Sequence, residues 1–248
     1  MKIALCLHGH FRTFMTCWPS LYRHIILPYK PDIFIASWTD SMGFFIGRDE
    51  TLNPQTHPGY NTDSPPVTSD YLKSVLDKLN PIDTHLEHFY LKEPVFDMML
   101  NNLKMYHDPD IFHRPKGTLS LNWIRYVSIQ MKAMHEYRHN FKYDRVISAR
   151  WDLHYYEPID LNLYNPDILI CPAPGGRGNG GWGDAPGDVW STASSDIIDK
   201  YGDQFRGIGE LIQANKMTLS THPWQKNWLD YKGVIWENRP EIELKVVR

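Results

Sequence analysis

Two apolar runs with a helical stretch between them constrain this chain more than any other feature. Residues 2–7 (KIALCL) and 32–37 (DIFIAS) are almost uninterrupted in their hydrophobicity. Such runs mark strands buried on both faces, as in parallel sheets, whereas a strand with one wet face alternates. Between them Phe14, Trp18, Leu21, Tyr22, Ile25 and Ile26 recur at helical spacing, and Pro28 and Pro31 are expected to stop that helix. Strand, helix and strand in this order form a βαβ unit with parallel strands and a right-handed crossover. The fold class is therefore α/β, and its sheet begins parallel.

The later chain fits the same class. Residues 41–68 show no period and carry Pro, Gly and Asn throughout, so they read as a long loop, functional or mobile. Residues 69–79 read as a capped helix with Tyr71, Leu72, Val75, Leu76 and Leu79 on one face. A short strand near 84–89 and a Met-rich helix near 95–105 follow. The longest helix is expected over 119–141, with a stripe of Trp123, Tyr126, Val127, Gln130, Met131 and Met134. It leads to buried strands at 145–149 and 167–171. The stretch 172–188 (PAPGGRGNGGWGDAPGD) is Gly-rich enough for a loop that backbone or ligand approaches closely. Helices are expected at 194–205, 207–215 and 222–231. No repeat or linker interrupts the pattern, so residues 1–248 read as one domain with an irregular second half.

Composition removes several functions. A formal net charge of −3 gives no electrostatic footprint for duplex nucleic acid or an anionic membrane, so an anionic ligand must be held by a few placed donors. Cys6, Cys17 and Cys171 lie far apart in apolar runs with no CxxC pair, which points to reduced, buried thiols. No apolar run reaches the roughly 18 residues of a spanning helix. The first residues lack the pattern of a signal peptide, and the expectation is a cytoplasmic protein with no transmembrane segment.

Parallel α/β sheets bind ligands at the carboxyl ends of their strands. Three such ends are polar or aromatic here. In HGHFR (8–12), backbone N–H groups, Gly9 and Arg12 could receive a phosphate or a base. Ser37, Trp38, Thr39 and Asp40 form the second end. The third lies in YDRVISARWDLHYYEP (143–158), where a buried strand runs into Arg150, Trp151 and Asp152. Asp152 suits a hard divalent cation, Mn²⁺ or Mg²⁺, which takes one or two carboxylates plus phosphate oxygens. Arg150 points to the same side of an extended chain and could pair bidentately with a diphosphate; alternatively it forms a salt bridge at the sheet edge. In GWGDAPGDVWS (181–191), Asp184 and Asp188 stand beside Trp182 and Trp190. Those are groups that could hold sugar hydroxyls and stack on sugar faces, or simply a solvated turn. His8 and His10 lack the further ligands a zinc site needs. No Walker loop and no GxSxG elbow occur.

With these residues in view, the chain resembles the GT-A-type glycosyltransferases of bacterial polysaccharide clusters and large algal DNA viruses. KIALCLHGHFRTF is similar to that family's opening strand followed by SGQ-x-R. RWD is similar to its acidic metal motif, in the R-x-D rather than the D-x-D form. GDVWSTASSDIIDKYGDQF resembles its acceptor-side turn and helix, and THPWQKNWLDYKGV its late H-P-E segment. The resemblance implies a single GT-A-like domain, a Rossmann-like, mostly parallel sheet flanked by helices. Residues 1–152 would form the nucleotide-binding half and 153–248 the acceptor side.

Carried over position by position, Gly9 and Arg12 would touch the nucleotide, and Trp38 or Thr39 its base or ribose. Arg150 would lie near the diphosphate, and Asp152 would hold Mn²⁺ or Mg²⁺, with His222 helping to ligate the metal or the leaving group. Asp188 would serve as base at the acceptor hydroxyl in an inverting transfer, with Asp184 in reserve. The implied partners are a nucleotide-sugar donor, UDP-linked by family habit, and a carbohydrate acceptor. Two departures stand out: His8 and His10 replace small and amide residues, and Arg150 replaces the first acid of a strict D-x-D. A sulfotransferase-like α/β enzyme and a non-catalytic carbohydrate-binding domain are the alternative readings.

Overall fold

The computed structural model describes residues 1–11, 13–39, 68–106, 115–172 and 185–247. In chain order the elements are β1 (Ile3–His10), α1 (Phe14–Leu21), α2 (Leu27–Tyr29), β2 (Asp32–Trp38), α3 (Ser69–Leu79), β3 (Asp83–Glu87), α4 (Phe89–Leu103) and α5 (Pro115–His139). They continue with β4 (Arg145–Arg150), β5 (Leu153–Tyr155), β6 (Leu169–Pro172), β7 (Trp190–Ala193), α6 (Ser195–Gly202), α7 (Ile208–Gln213), α8 (Thr221–Tyr231), β8 (Trp236–Arg239) and β9 (Leu244–Val246). Seven strands form one sheet in the order β3-β2-β1-β4-β7-β6-β8, and β5 and β9 pair separately. All the neighbouring pairs in the large sheet are parallel except those of β7, which runs against both β4 and β6. The expected α/β architecture with a mostly parallel sheet is present.

The apolar runs do what uninterrupted hydrophobicity requires, since both faces of the sheet are covered. Ala4, Cys6, Phe34, Ala36 and Val146 face one cluster with Phe96 of α4, Ile124 and Ile129 of α5, Ile198 of α6, and Trp224 and Trp228 of α8. Leu5, Leu7, Ile33, Ile35 and Ile147 face the other, with Phe14 and Leu21 of α1 and Val75 and Leu79 of α3. Burying a side chain of this size stabilises the fold by about 1.5–3 kcal/mol. All three cysteines are free and buried among these layers. Among the described residues no helix is long and apolar enough to cross a membrane.

Several elements depart from expectation. Pro28 does not stop the first helix, which runs on to Tyr29 and ends where Lys30 turns left-handed at φ 46. A π-helical stretch over Tyr22–Ile26 precedes it, with the Leu27 N–H bonded to the Tyr22 carbonyl. That wider turn relieves the clash between a proline ring and the carbonyl four residues back. Helix α3 has the expected bounds, capped by the Thr68 hydroxyl accepting from Tyr71 N at 3.1 Å. In α5 the apolar stripe is not the buried face: Trp123, Val127 and Met131 pack half-buried along its flank, and Met134 is exposed. The face turned inward carries Asn122, Arg125, Ser128, Lys132 and Glu136. Strands β7 and β8 and the β5–β9 pair were not expected in a second half read as irregular with a helical C-terminal third.

The buried polar groups of α5 are paired, which is what allows them inside. Lys132 Nζ donates to Glu136 Oε2 at 2.9 Å, to Asp199 Oδ1 at 2.7 Å and to Ser195 Oγ. Arg125 donates to Asn122 Oδ1, to the Tyr201 hydroxyl, to Gln204 Oε1 at 3.2 Å and to Gln225 Oε1 at 3.3 Å. These bonds fasten α5 to α6 and α8 behind the sheet.

Candidate functional site

The strand order turns at β1. The chain runs outward from β1 to β2 and β3 on one side, while β4 lies on the other. At such a switch point neighbouring connections leave in opposite directions and open a crevice outside the carboxyl ends. Because β7 is reversed, its amino end shares that edge with the carboxyl ends of β1, β2, β4, β6 and β8.

At the end of β1, Gly9 takes φ 108, a conformation that side-chain-bearing residues rarely adopt. Its carbonyl accepts from Ser37 Oγ at 2.8 Å, which ties β1 to the tip of β2. His8 lies opposite Arg150 in the register and is 1% exposed. Burial, and then the nearby charges of Arg125 and Arg150, hold its pKa well below the ordinary imidazole value, so it is neutral. Its Nδ1 has no hydrogen-bond partner among the described residues.

At the end of β4, Trp151 explains why a buried strand ends on a cation, an aromatic and an acid. Its ring is 1% exposed and lies 4.4 Å from Phe11 and 5.5 Å from Phe14, centroid to centroid. With Trp151 pinned in the core, the residues on either side meet. Arg150 Nε donates to Asp152 Oδ1 at 2.9 Å and Nη2 to Oδ2 at 2.5 Å, a fork on a carboxylate. Only 19% of the Arg150 side chain and 5% of the Asp152 side chain are exposed. Burial opposes the Arg150 charge, but Asp152, and Asp188 beyond it, more than offset this and raise its pKa. The salt bridge weighed as the alternative for Arg150 therefore exists, and its partner is Asp152 itself. The Asp152 carbonyl also accepts from Val247 N at 2.8 Å, so the small β5–β9 pair closes behind the tip.

Asp188 stands half-buried just before β7, beside Arg150, whose backbone N–H donates to the Val189 carbonyl at 3.0 Å. His222, in the first turn of α8, shares a 3.1 Å hydrogen bond with the Pro186 carbonyl. Gly9, Arg150, Asp152, Asp188 and His222 are thus gathered toward one sheet edge. Thr39 is there too, its hydroxyl 2.9 Å from His88 Nδ1. Trp38 is not available to a ligand: its ring is 2% exposed and packs edge-on against Phe89 and Phe96. Trp190 is likewise fully buried and offers no face to a sugar. Arg12, Asp40, Trp182 and Asp184, with the segment 41–67, lie outside the described residues.

The chemistry of the donor set can be compared with a divalent cation. Among the described residues no three His, Cys, Asp or Glu side chains form a ready cage. A carboxylate offers about four lone-pair sites, and a guanidinium fork uses two. Arg150 takes one site on each Asp152 oxygen, and a carboxylate is the kind of oxygen ligand that a hard divalent cation prefers.

Sequence reasoning missed Arg125, Gln225 and Asn238, which stand behind the site. The signal was a run of polar residues at helical spacing, Asn122, Arg125, Ser128, Lys132 and Glu136, in a helix judged by its apolar positions alone. Compared with protein-family models and with curated proteins, the sequence matches none.

Proposed function

We propose that this chain is a glycosyltransferase that moves a sugar from a nucleoside-diphosphate sugar, UDP-linked in the first instance, to a glycan hydroxyl. One observation carries the reading. Gly9, Arg150, Asp152 and Asp188, from three separate stretches of sequence, converge outside the carboxyl ends of β1 and β4, where the strand order reverses. The mostly parallel seven-strand sheet flanked by helices is compatible with the Rossmann-like architecture that the reading requires.

In this reading the backbone at Gly9, with Arg12, receives the nucleotide, and Thr39 takes its ribose or base. Arg150 faces the diphosphate. Mn²⁺ or Mg²⁺ held by Asp152, with His222 as a further ligand or a contact to the leaving group, would neutralise charge on the departing diphosphate. Asp188 orients the acceptor hydroxyl and takes its proton if the transfer inverts, and Asp184 is the reserve for that role. A carbohydrate-binding role without chemistry would lean on sugar stacking by Trp182 and Trp190; the Trp190 ring is committed to the core, and Trp182 lies outside the described residues.

The test is a panel of nucleotide sugars incubated without acceptor, together with melting curves in UDP or GDP with and without Mn²⁺. One donor should be slowly hydrolysed. Its nucleoside diphosphate, at about 100 times its Kd, should stabilise the chain by about 2.7 kcal/mol. No hydrolysis and no shift with any nucleotide would overturn the proposal.

A further inference from the structure

Three successive carbonyls just before Asp188 are each held by a side chain from elsewhere in the fold. Asn238 Nδ2, on β8, donates to the Ala185 carbonyl at 2.9 Å. His222 Nδ1 bonds the Pro186 carbonyl at 3.1 Å, and Gln225 Nε2 donates to the Gly187 carbonyl at 3.0 Å. A carbonyl cannot donate, so the His222 proton in that bond sits on Nδ1. On the opposite side Gly187 lies directly on the end of β6, where an added Cβ would stand 2.5 Å from the Pro172 carbonyl oxygen. After Asp188 the chain is fixed again, by the bond from Arg150 N to the Val189 carbonyl. Residues 185–187 are buried, so their carbonyls need partners; all three partners here are side chains from β8 and α8 rather than a neighbouring backbone, which ties the segment at every residue on the approach to one acid.

Gln225 has its own support. Its Oε1 accepts from Arg125 Nη1 at 3.3 Å, and Arg125 is 1% exposed. A guanidinium has donors only, so the oxygen end of the amide must face Arg125 and the NH₂ end must face Gly187. Arg125 is in turn fixed by Asn122, Tyr201 and Gln204. The chain of contacts runs from the middle of α5, through α8, to the peptide that carries Asp188.

We infer that Asn238, His222 and Gln225 clamp residues 185–187 so as to preset the Asp188 carboxylate, and that Gln225, steered by Arg125, is the main positioning residue of the site. Its functional arm rests on the transfer reaction proposed above. Its structural arm does not.

The experiment compares the full wild-type chain with Gln225→Met, Asn238→Ala, Asp188→Asn and the double variant Gln225→Met with Asp188→Asn. Asn238 is half-buried at the sheet edge, so its truncation serves if Gln225→Met does not fold. Amide hydrogen exchange over 185–189 should accelerate about tenfold or more in both clamp variants while α6 is unchanged. Hydrolysis of the best donor in the panel should lose about 10- to 100-fold in kcat with KM within about twofold, the effect of misplacing a reacting group by about 1 Å. Adding Gln225→Met to Asp188→Asn should lower kcat no further, because the two act as a unit. Unchanged exchange at 185–189 overturns the clamp, and a kcat loss that persists in full without the Asp188 carboxylate overturns the positioning role. If the wild-type chain hydrolyses no donor, the transfer reading falls, and the exchange result alone decides the clamp.

Discussion

Replacing Asp152 by Asn keeps the side chain's volume and removes its charge, at a position where both carboxylate oxygens accept from Arg150, at 2.9 and 2.5 Å. An Asn at this place offers one oxygen and turns an NH₂ group toward the other nitrogen of the guanidinium. Arg150 then keeps its charge with the side chain 19% exposed and, among the described residues, Asp188 left to compensate. Removing one partner of a buried pair costs about 3–5 kcal/mol. The residual exposure of Arg150 and the field of Asp188 place this case at the lower end, about 3 kcal/mol. For a chain of this size each kcal/mol is worth about 2–4 °C, so calorimetry should show Tm falling by about 6–12 °C. Exchanging the whole pair for apolar groups, Asp152→Leu with Arg150→Met, should come within about 1 kcal/mol of wild type, since no charge is left stranded. The same variants report on function: Asp152→Asn should lose any manganese-dependent part of the shift caused by UDP. A Tm within about 1 °C of wild type for Asp152→Asn would refute the reasoning about the pair. A retained manganese-dependent shift would refute metal ligation by residue 152.

Two further outcomes follow from buried titratable groups. Burial by itself raises the pKa of Glu136, but donation from Ser195 Oγ at 2.6 Å, from Tyr143 N at 2.8 Å and from Lys132 prevails and holds it below the ordinary 4.5. A carboxyl with a depressed folded pKa contributes stability above its unfolded value and loses it as pH falls through the folded one. Melting curves should therefore show an acid-side loss beginning near pH 4.5 that Glu136→Gln flattens, and a slope unchanged by that variant would contradict the assignment. Burial pushes the thiols of Cys6 and Cys171 up to about 12 and that of Cys17 to about 11. None should react with a disulfide reagent near pH ~8 in the native chain, and all three should react in denaturant.

Strands β1, β2 and β4 of the parallel half were legible because they are buried along nearly their whole length and carry long apolar runs. The reversed strand β7 was not. Its four residues are Trp190, Ser191, Thr192 and Ala193, with no alternation, and it sits between β4 and β6 with Ser191 opposite Ser148. A short strand of mixed polarity directly after a Gly-rich run reads as more loop. Strand β8 (WENR) is half-exposed along its length, and β5 and β9 have three residues each, too few to show any period. The aromatic content misled in the opposite direction. Trp38, Trp151 and Trp190, candidates for ligand contact by their place in the sequence, proved to be anchors that let the strands end where they do. Spacing locates a strand tip but does not say which way a ring at that tip turns.

The same division runs through the site. Residues at the carboxyl ends of strands could be picked out because the fold class already says where a ligand goes. The residues that hold them in place could not, since Arg125 and Gln225 lie on helices whose apolar positions drew the attention and Asn238 lies on a short strand of mixed polarity. Yet those residues decide the electrostatics. Under the proposed transfer, a chain with net charge −3 would have no general attraction for a diphosphate, so the positive potential met by that group would be local. Arg125 supplies it from behind the sheet, held by four neutral acceptors rather than by a carboxylate. Burial first, and then the charges of Arg125 and Arg150, keep His8 neutral beside them. Among the described residues, Arg150 at the strand tip and Arg125 behind the sheet are both donor-only groups fixed by several bonds. Such groups favour a bound anion without reorganising when it arrives.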